Sequence, residues 1–314
     1  MEVKIAETSL AVLDGASEID IVFPVGKLLE EKYDDIVDEI REIKSACREA
    51  RLKVILESGL LSMKQLRIAS ILAMAHYYQD SSIQEIADFI GDSLALAQQA
   101  AKTTADIIVL CGVHFMGETA KLISPEKKVL IPDANAGCSL ADSCSADAFE
   151  QFVKAHPDHT VISYVNTTAA VKALTDISVT STNAVAIVQS LPKDEKIIFG
   201  PDRNLGNYIN SLTGRNMLLW DGACHVHEQF SIERIFRLKE QYLNAKIIAH
   251  PECKSAVLAL ADFIGSTASL LRYAQRSDFS EFIVATESGI LHAAQNANDR
   301  FLPLLFKGLI VMDT

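Results

Sequence analysis

The chain has few aromatic side chains, no excess of positive charge and no long apolar run. Its 314 residues include one Trp, and 29 Lys and Arg stand against 41 Asp and Glu, for a net charge of -12. That balance opposes broad electrostatic attraction to nucleic acid or anionic membranes. The sequence contains no apolar stretch approaching the roughly 20 residues of a membrane span, and its N-terminus lacks the pattern of a signal peptide. We therefore expect a cytoplasmic globular protein with two or three domain-sized units.

The cysteines also lack a local motif, because no two of them have the C-x-x-C spacing typical of zinc or ferredoxin sites. In a reducing compartment such scattered thiols are core residues, metal ligands or nucleophiles rather than disulfides. Two of them, Cys47 and Cys111, lie in apolar periodic stretches and are expected to be buried packing residues. The six are Cys47, Cys111, Cys138, Cys144, Cys224 and Cys253.

What the sequence does contain is an internal repeat. Three passages each read as an apolar strand, a polar residue at its end, a helix, a short strand and a hydroxyl-bearing turn that opens another helix. The spacing from the polar strand end to the hydroxyl turn is 17 residues in all three: His76 to Ser93, Tyr164 to Ser181, and His250 to Thr267. The strand ends recur after 88 and 86 residues, which is too long for a solenoid and suits a small α/β unit.

Each unit continues with a further strand, predicted at Asp106 to Cys111, Lys196 to Gly200 and Glu281 to Ala285, and two units end in a turn that carries cysteine. The pattern predicts an α/β protein of three homologous Rossmann-like, three-layer units about a pseudo-threefold axis. The carboxyl ends of their strands would face a shared ligand site. The expected units are residues 75–158, 159–244 and 245–314.

The repeated positions suggest chemistry. Helix N-termini at the three hydroxyl turns favour anions such as carboxylate or phosphate, although each alone could be an ordinary N-cap. Two imidazoles in equivalent places, His76 and His250, with Glu252 nearby, are typical of a general acid/base set, whereas a lone His is usually structural. In the second unit Tyr164 and Asn166 offer a hydroxyl and an amide, unless the tyrosine is only a core residue.

The repeat also brings two cysteines together. Cys138 and Cys224 are 86 residues apart, so they occupy equivalent turns and would converge on the axis. Soft sulfur ligands around an axis suit an iron-sulfur cluster with one iron left open as a Lewis acid. The alternative is that both are small buried apolar residues. Cys144 and Cys253 are ambiguous.

Eleven motifs in order, from about residue 75 to residue 292, resemble quinolinate synthase, among them AHYYQ, AGCSLADSC, SYVNTT, WDGACHVHE, AHPEC and VATESGILH. The resemblance implies condensation of iminoaspartate with dihydroxyacetone phosphate to quinolinate in NAD biosynthesis, with L-aspartate oxidase as a possible iminoaspartate source. It implies a [4Fe-4S] cluster on three cysteines, two of them Cys138 and Cys224. It also implies substrate contacts at His76, Ser93, Tyr164, Asn166, Ser181, His250, Glu252 and Thr267, with His76, Tyr164, His250 and Glu252 moving protons.

One departure concerns the third cluster ligand. The family carries it in a C-terminal cysteine segment, where this sequence reads LPLLFKGLIVMDT. A cluster held by two thiolates would be labile, and we do not expect Cys253 or an outside ligand to replace the third cysteine. A protein that binds a small dicarboxylate or phosphate compound without a stable cluster and without turnover is therefore the alternative function.

Residues 1–74 depart from that family and resemble part of deoxyribose-phosphate aldolase, a TIM barrel. The pattern predicts a βαβα fragment: strand Glu18 to Phe23, helix Tyr33 to Ala50, strand Lys53 to Glu57 and helix Met63 to Ala73. Asp20 matches an aldolase catalytic aspartate. The Schiff-base lysine motif of that family does not follow, and a lysine nucleophile is indispensable to the covalent mechanism, so an aldolase function is disfavoured.

Overall fold

The computed structural model describes residues 2–55, 72–279 and 281–297, and the chain divides into two compact units, Met1–Ile71 and Leu72–Thr314. In the first unit two parallel strands are flanked by helices. Its core is small and contains Ile21, Ile43, Cys47 and Ala50. Its elements are α1 (Glu2–Leu13), β1 (Glu18–Val22), α2 (Val25–Leu29), α3 (Tyr33–Cys47) and β2 (Arg51–Ile55).

These bounds confirm the two predicted strands and the long helix of this segment to within a few residues. The helix α3 forms because its buried side chains, Ile36, Ile43 and Cys47, recur on one helical face. Most of the predicted helix Met63 to Ala73 lies outside the described residues. Its last two residues belong to a strand instead, so the prediction is wrong there, because Leu72–His76 pairs with a parallel strand on each side.

The second unit begins with a parallel four-stranded sheet in the order β4-β3-β5-β6. Its core contains Met74, Leu96, Ile108 and Leu110. The strands are β3 (Leu72–His76), β4 (Phe89–Gly91), β5 (Ile107–Cys111) and β6 (Lys128–Leu130). The helices that follow them are α4 (Ser81–Ile86), α5 (Ser93–Lys102), α6 (His114–Ile123), α7 (Ser139–Asp142) and α8 (Ala146–Lys154).

A second parallel sheet has the equivalent order, β8-β7-β9-β10. Its core is the largest and includes Ile162, Phe199, Leu205 and Ile209, all fully buried. The strands are β7 (Thr160–Tyr164), β8 (Ile177–Val179), β9 (Ile197–Gly200) and β10 (Leu218–Leu219). The helices are α9 (Ala169–Lys172), α10 (Ala184–Ser190), α11 (Arg203–Thr213), α12 (His225–Glu228) and α13 (Ile232–Gln241).

The third sheet has three described strands in the order β12-β11-β13, again with the first strand of the repeat inside. The strands are β11 (Lys246–Ala249), β12 (Phe263–Ile264) and β13 (Phe282–Ala285). The helices are α14 (Ser255–Leu258), α15 (Thr267–Arg276) and α16 (Ile290–Ala297). No helix among the described residues is long and apolar enough to cross a bilayer.

One contact recurs identically in the three sheets and stabilises each strand-helix-strand turn. An aspartate that opens the short second strand accepts the backbone N–H of a residue in the first strand, and its own N–H returns to that residue's carbonyl. The three carboxylates are Asp88, Asp176 and Asp262, which accept from Ala73 (2.8 Å), Val161 (2.8 Å) and Ile247 (2.9 Å). The aspartate follows the polar strand end by 12 residues each time, so the sequence repeat is matched by a repeat of hydrogen bonds.

Candidate active site

A cavity of about 330 Å³ lies at the carboxyl ends of the three parallel sheets. Parallel strands present their carboxyl ends along one edge, so polar residues that follow them in sequence gather there. All ten predicted site residues line this cavity. They are His76, Ser93, Cys138, Tyr164, Asn166, Ser181, Cys224, His250, Glu252 and Thr267.

The two strand-end histidines have the same local hydrogen bond. The Nδ1 of His76 accepts the backbone N–H of Tyr78 at 3.2 Å, and the Nδ1 of His250 accepts that of Glu252 at 3.4 Å. Each ring therefore carries its proton on Nε2 when neutral. Burial disfavours the imidazolium and lowers both pKa values to about 4, although the nearby Glu252 carboxylate opposes the shift. The two rings are thus neutral N–H donors at neutral pH.

The buried carboxylate of Glu252 is the electrostatic centre of the cavity. Its Oε1 accepts the hydroxyl of Tyr164 at 2.7 Å and lies 3.5 Å from His250 Nδ1. Its Oε2 lies 3.3 Å from His227 Nδ1, an ionic contact that lacks hydrogen-bond geometry. Burial alone would raise the pKa of Glu252, but the His250 and His227 rings and the Tyr164 hydroxyl hold it at about 2.

The same carboxylate raises the pKa of His227, although burial opposes this. The other ring nitrogen of His227, Nε2, lies 3.1 Å from Thr286 Oγ1. That hydroxyl is 2.8 Å from the Tyr78 hydroxyl, which is in turn 2.7 Å from Thr267 Oγ1. A line of hydrogen bonds therefore joins the His227 ring, which contacts the Glu252 carboxylate, to the hydroxyl turn at Thr267.

The three hydroxyl turns differ at their helix starts. The helix α5 begins at Ser93 behind the N-cap Asp92, whose carboxylate accepts the N–H of Ala95 at 2.9 Å. The helix α15 begins at Thr267, and its N-cap Ser266 makes no side-chain cap. The middle helix, α10, begins only at Ala184, three residues after Ser181.

An unsatisfied polar atom faces the same cavity. The side-chain oxygen of Asn166 is buried and has no hydrogen-bond partner. Leaving such an acceptor unpaired costs about 1–3 kcal/mol, and native proteins keep few of them. This atom therefore marks a place where a ligand can donate a hydrogen bond.

The cysteines Cys138 and Cys224 lie on neighbouring turns, since the N–H of His225 donates to Ser139 Oγ at 3.2 Å. Burial raises the pKa of the Cys138 thiol to about 11, and that of Cys224 further. The donor atoms of Cys224, His227 and Glu252 lie within 4.8 Å of one another. A [4Fe-4S] cluster of the expected kind takes three cysteines. Cys253 is buried, its thiol donates to Ala285 O, and it lies outside the cavity lining, so the described thiols do not complete that ligand set.

Sequence reasoning missed four residues of this site. His227 sits one turn after Cys224 in the CHVHE segment, and Glu287 and Thr286 follow β13, which the repeat predicted as a strand. Tyr78 lies two residues beyond His76. Each of these residues is polar and closely follows a predicted parallel strand or a predicted ligand turn. That position places it at the carboxyl edge of the sheet, beside the predicted site residues.

Parallel sheets whose carboxyl ends border a cavity with buried imidazoles, a carboxylate and thiols are typical of an α/β enzyme. A family model described as "Quinolinate synthetase A protein" matches residues 60–306. The chain therefore belongs to the quinolinate synthase family.

Named relatives agree with this family. The chain is 58% identical over 251 residues to a quinolinate synthase of Synechocystis, covering 79% of this chain and 78% of the relative. It is 59% identical over 239 residues to that of Thermosynechococcus vestitus, 76% of this chain and 75% of the relative. It is 60% identical over 232 residues to that of Trichormus variabilis, 73% and 72%.

A second family model, "DeoC/LacD family aldolase", matches residues 1–108, in line with the resemblance of the N-terminal segment. The aldolase-like Asp20 is exposed on β1, where it pairs in register with Lys53.

Proposed function

We propose that this chain is a quinolinate synthase that joins iminoaspartate to dihydroxyacetone phosphate. The reaction releases inorganic phosphate and two molecules of water, and the atoms of quinolinate are then accounted for without an oxidant or reductant. The observation that carries the proposal is a cavity that collects hydrogen-bonding groups from all three sheets. A site for two polyanionic reactants needs such convergent groups, since the chain as a whole carries net negative charge.

The neutral histidines account for how an anion could be held without a positive field. Hydrogen bonds from neutral donors to a carboxylate or phosphate are charge-assisted and hence strong in a buried site. His76 and His250 each offer Nε2–H, and the start of α15 at Thr267 offers free backbone N–H groups beside a hydroxyl. We assign these groups, with Ser93, Ser181 and Asn166, to binding of the carboxylates and the phosphate.

Proton transfer is assigned to Glu252 and its partners. A carboxylate with its pKa near 2 is ionised and available as a hydrogen-bond acceptor, and the Tyr164 hydroxyl at 2.7 Å orients it. A carboxylate with so low a pKa is a weak base, so we assign Glu252 to accept a hydrogen bond from the substrate group that loses its proton. The neighbouring His227 ring, whose pKa is raised, is assigned to hold that proton. The hydroxyls of Thr286 and Tyr78 extend this path toward Thr267.

We propose Cys138 and Cys224 as ligands of the [4Fe-4S] cluster, and we assign no reaction step to the cluster. Because burial keeps both thiols protonated, iron binding there must release two protons, and its affinity should rise with pH. Since the described residues do not complete the cluster, no step of the reaction above is assigned to it.

We also propose that the segments 75–158, 159–244 and 245–314 are the homologous units of the enzyme, arranged about a pseudo-threefold axis. The order of the first three strands, which is the same in each sheet, and the three recurring aspartate contacts support this proposal. An enzyme that oxidises aspartate, such as L-aspartate oxidase, would have to supply iminoaspartate, because an imine of this kind hydrolyses in water.

The test is quinolinate formation by the anaerobically prepared chain, with iminoaspartate generated in place and dihydroxyacetone phosphate added. We expect Tyr164→Phe and Glu252→Gln to lower kcat by roughly a hundredfold or more. Tyr208→Phe is the matched control, since Tyr208 lies outside the cavity lining. Binding of quinolinate without any turnover, with iron added, would instead support the alternative of a binding protein.

A further inference from the structure

The loops that carry the strand-end residues are held by one side chain at an equivalent position in the first two repeats. Eight residues after the strand end stand Gln84 in the first repeat and Lys172 in the second. Gln84 Nε2 donates to the carbonyls of Tyr77 (3.0 Å) and Gln79 (2.8 Å). These carbonyls lie one and three residues beyond His76.

In the second repeat the Nζ of Lys172 donates to the carbonyls of Val165, at 2.9 Å, and Thr167. These again lie one and three residues beyond the strand end, Tyr164, and they flank Asn166. Two chemically different side chains thus hold the same pair of backbone acceptors. Helix propensity does not explain why Gln84 and Lys172 bind equivalent carbonyls. The contacts are made by the terminal nitrogen atoms of the two side chains, which helix propensity does not depend on.

The burial and the partner atoms of both side chains fix the orientation in which they make these contacts. Gln84 is 1% exposed, and its amide nitrogen also meets the carbonyl of Gly289 at 3.0 Å. Its Oε1 is buried without a partner, so the reverse orientation, with Oε1 against three carbonyl oxygens, is repulsive. Burial lowers the pKa of Lys172 to about 8 although Glu118 opposes the shift, and its Nζ lies 5.5 Å from the centre of the Phe115 ring.

The third repeat has no polar side chain at this position. Its equivalent residue is Leu258, and Asn204 of the preceding repeat donates to the Glu252 carbonyl at 3.1 Å instead. The third loop carries Glu252, which also lines the cavity, so a polar residue at this position is not a general requirement of the repeat. It occurs in the two repeats whose loops carry Tyr78 and Asn166, and in the third repeat Asn204 contacts the loop from outside.

We propose that Gln84 and Lys172 are positioning residues of the enzyme, each fixing a strand-end loop so that His76 and Tyr78, or Tyr164 and Asn166, face the substrates. The inference rests on the proposed function for its kinetic consequence. A displacement of about 1 Å in groups that must meet reacting atoms costs on the order of a hundredfold in rate. The role requires hydrogen-bond donors at these two positions and not positive charge.

The experiment compares Lys172→Met, which keeps the length but has no donor, with Lys172→Gln, which restores the donor of the first repeat. Lys127→Met is the matched control, because Lys127 is also buried and its Nζ donates to the carbonyls of Ala100 (2.8 Å) and Thr103 (2.5 Å), away from the cavity lining. We expect Lys172→Met to lower kcat by roughly ten- to a hundredfold with a smaller change in KM. Lys172→Gln should recover most of this loss, and Lys127→Met should change kcat less than threefold.

Amide hydrogen exchange of the same proteins gives a readout that needs no activity. Exchange at residues 165–168 should rise at least tenfold in Lys172→Met and stay unchanged in Lys127→Met. Equal kcat in Lys172→Met and wild type, or equal losses in the two Met variants, would overturn the positioning role. If wild type forms no quinolinate, the proposed function fails by itself. In that case the affinity of each protein for quinolinate is measured by calorimetry. A tenfold loss of affinity in Lys172→Met but not in Lys127→Met would support the positioning role, and equal affinities in all proteins would refute it.

Discussion

The buried imidazole of His76 makes the stability of the protein fall on acidification by an amount that can be worked out. Its pKa in the folded protein is about 4, against 6.5 for an unperturbed histidine. Between these values the unfolded chain binds a proton that the folded protein excludes, so the free energy of unfolding decreases as the pH falls through this window. Integrating from pH 7 to pH 4.5 gives a loss of about 2 kcal/mol from this residue alone.

The measurement is urea unfolding at pH 7 and pH 4.5, followed by far-UV circular dichroism, in wild type and His76→Gln. The variant has no group to protonate at this place, so it should lose about 2 kcal/mol less than wild type. Asp202 and His227 have raised pKa values, so their protonation increases the stability of the folded protein as the pH falls. Because both residues are present in wild type and variant, their contributions cancel in the comparison. His114→Gln is the control, because the His114 side chain is 51% exposed.

Equal acid losses in wild type and His76→Gln would refute the reasoning. A residue-specific check is the NMR signal of the His76 ring Cε1–H, assigned by its disappearance in His76→Gln. The signal should stay constant between pH 8 and pH 5.5. A titration midpoint near 6.5 would show that the ring is exposed to water and that the assignment of His76 as a neutral donor is wrong.

Two packing predictions can be checked by thermal and chemical unfolding. Gly289→Ala should destabilise by about 1–3 kcal/mol, since a Cβ there would lie 2.5 Å from the backbone of Tyr78. Gly117→Ala, whose Cβ would meet ordinary contacts at 3.5 Å in α6, should be neutral or stabilising, and the reverse order would contradict the account. Phe149→Ala should cost about 3–5 kcal/mol, because the ring is fully buried and lies edge-on to Trp220 at 5.5 Å. The fluorescence of Trp220, the single tryptophan, should shift, whereas an unchanged spectrum and midpoint would count against this packing.

The candidate site was largely predictable because it depends on periodicity. A fixed spacing of 17 residues from strand end to hydroxyl turn places both groups at the same edge of each sheet, and all ten predicted residues do line one cavity. The strands β5, β9 and β13 lie within the predicted ranges for the same reason, since continuous apolar runs are typical of buried parallel strands.

The parts that could not be predicted depend on contacts between distant segments. Nothing local distinguishes Gln84 or Lys172 from an ordinary polar residue of a short helix, because their acceptors are defined only when the loop closes on them. The neutral state of His76 follows from burial, which depends on the packing of the whole repeat. The proton-transfer roles of Tyr164, His76, His250 and Glu252, and the cluster ligation by Cys138 and Cys224, stay predictions.

The recurring aspartate contact has a consequence for the order of folding. Asp88, Asp176 and Asp262 each close a loop of only 15 residues, and loop closure over so short a distance costs little chain entropy. The contacts that hold the cavity join residues much further apart in the sequence. Tyr164 and Glu252 are separated by 88 residues, and Tyr78 and Thr286 by 208. We expect each repeat to acquire its own strand pairing early, and the cavity to form only when separately formed repeats dock.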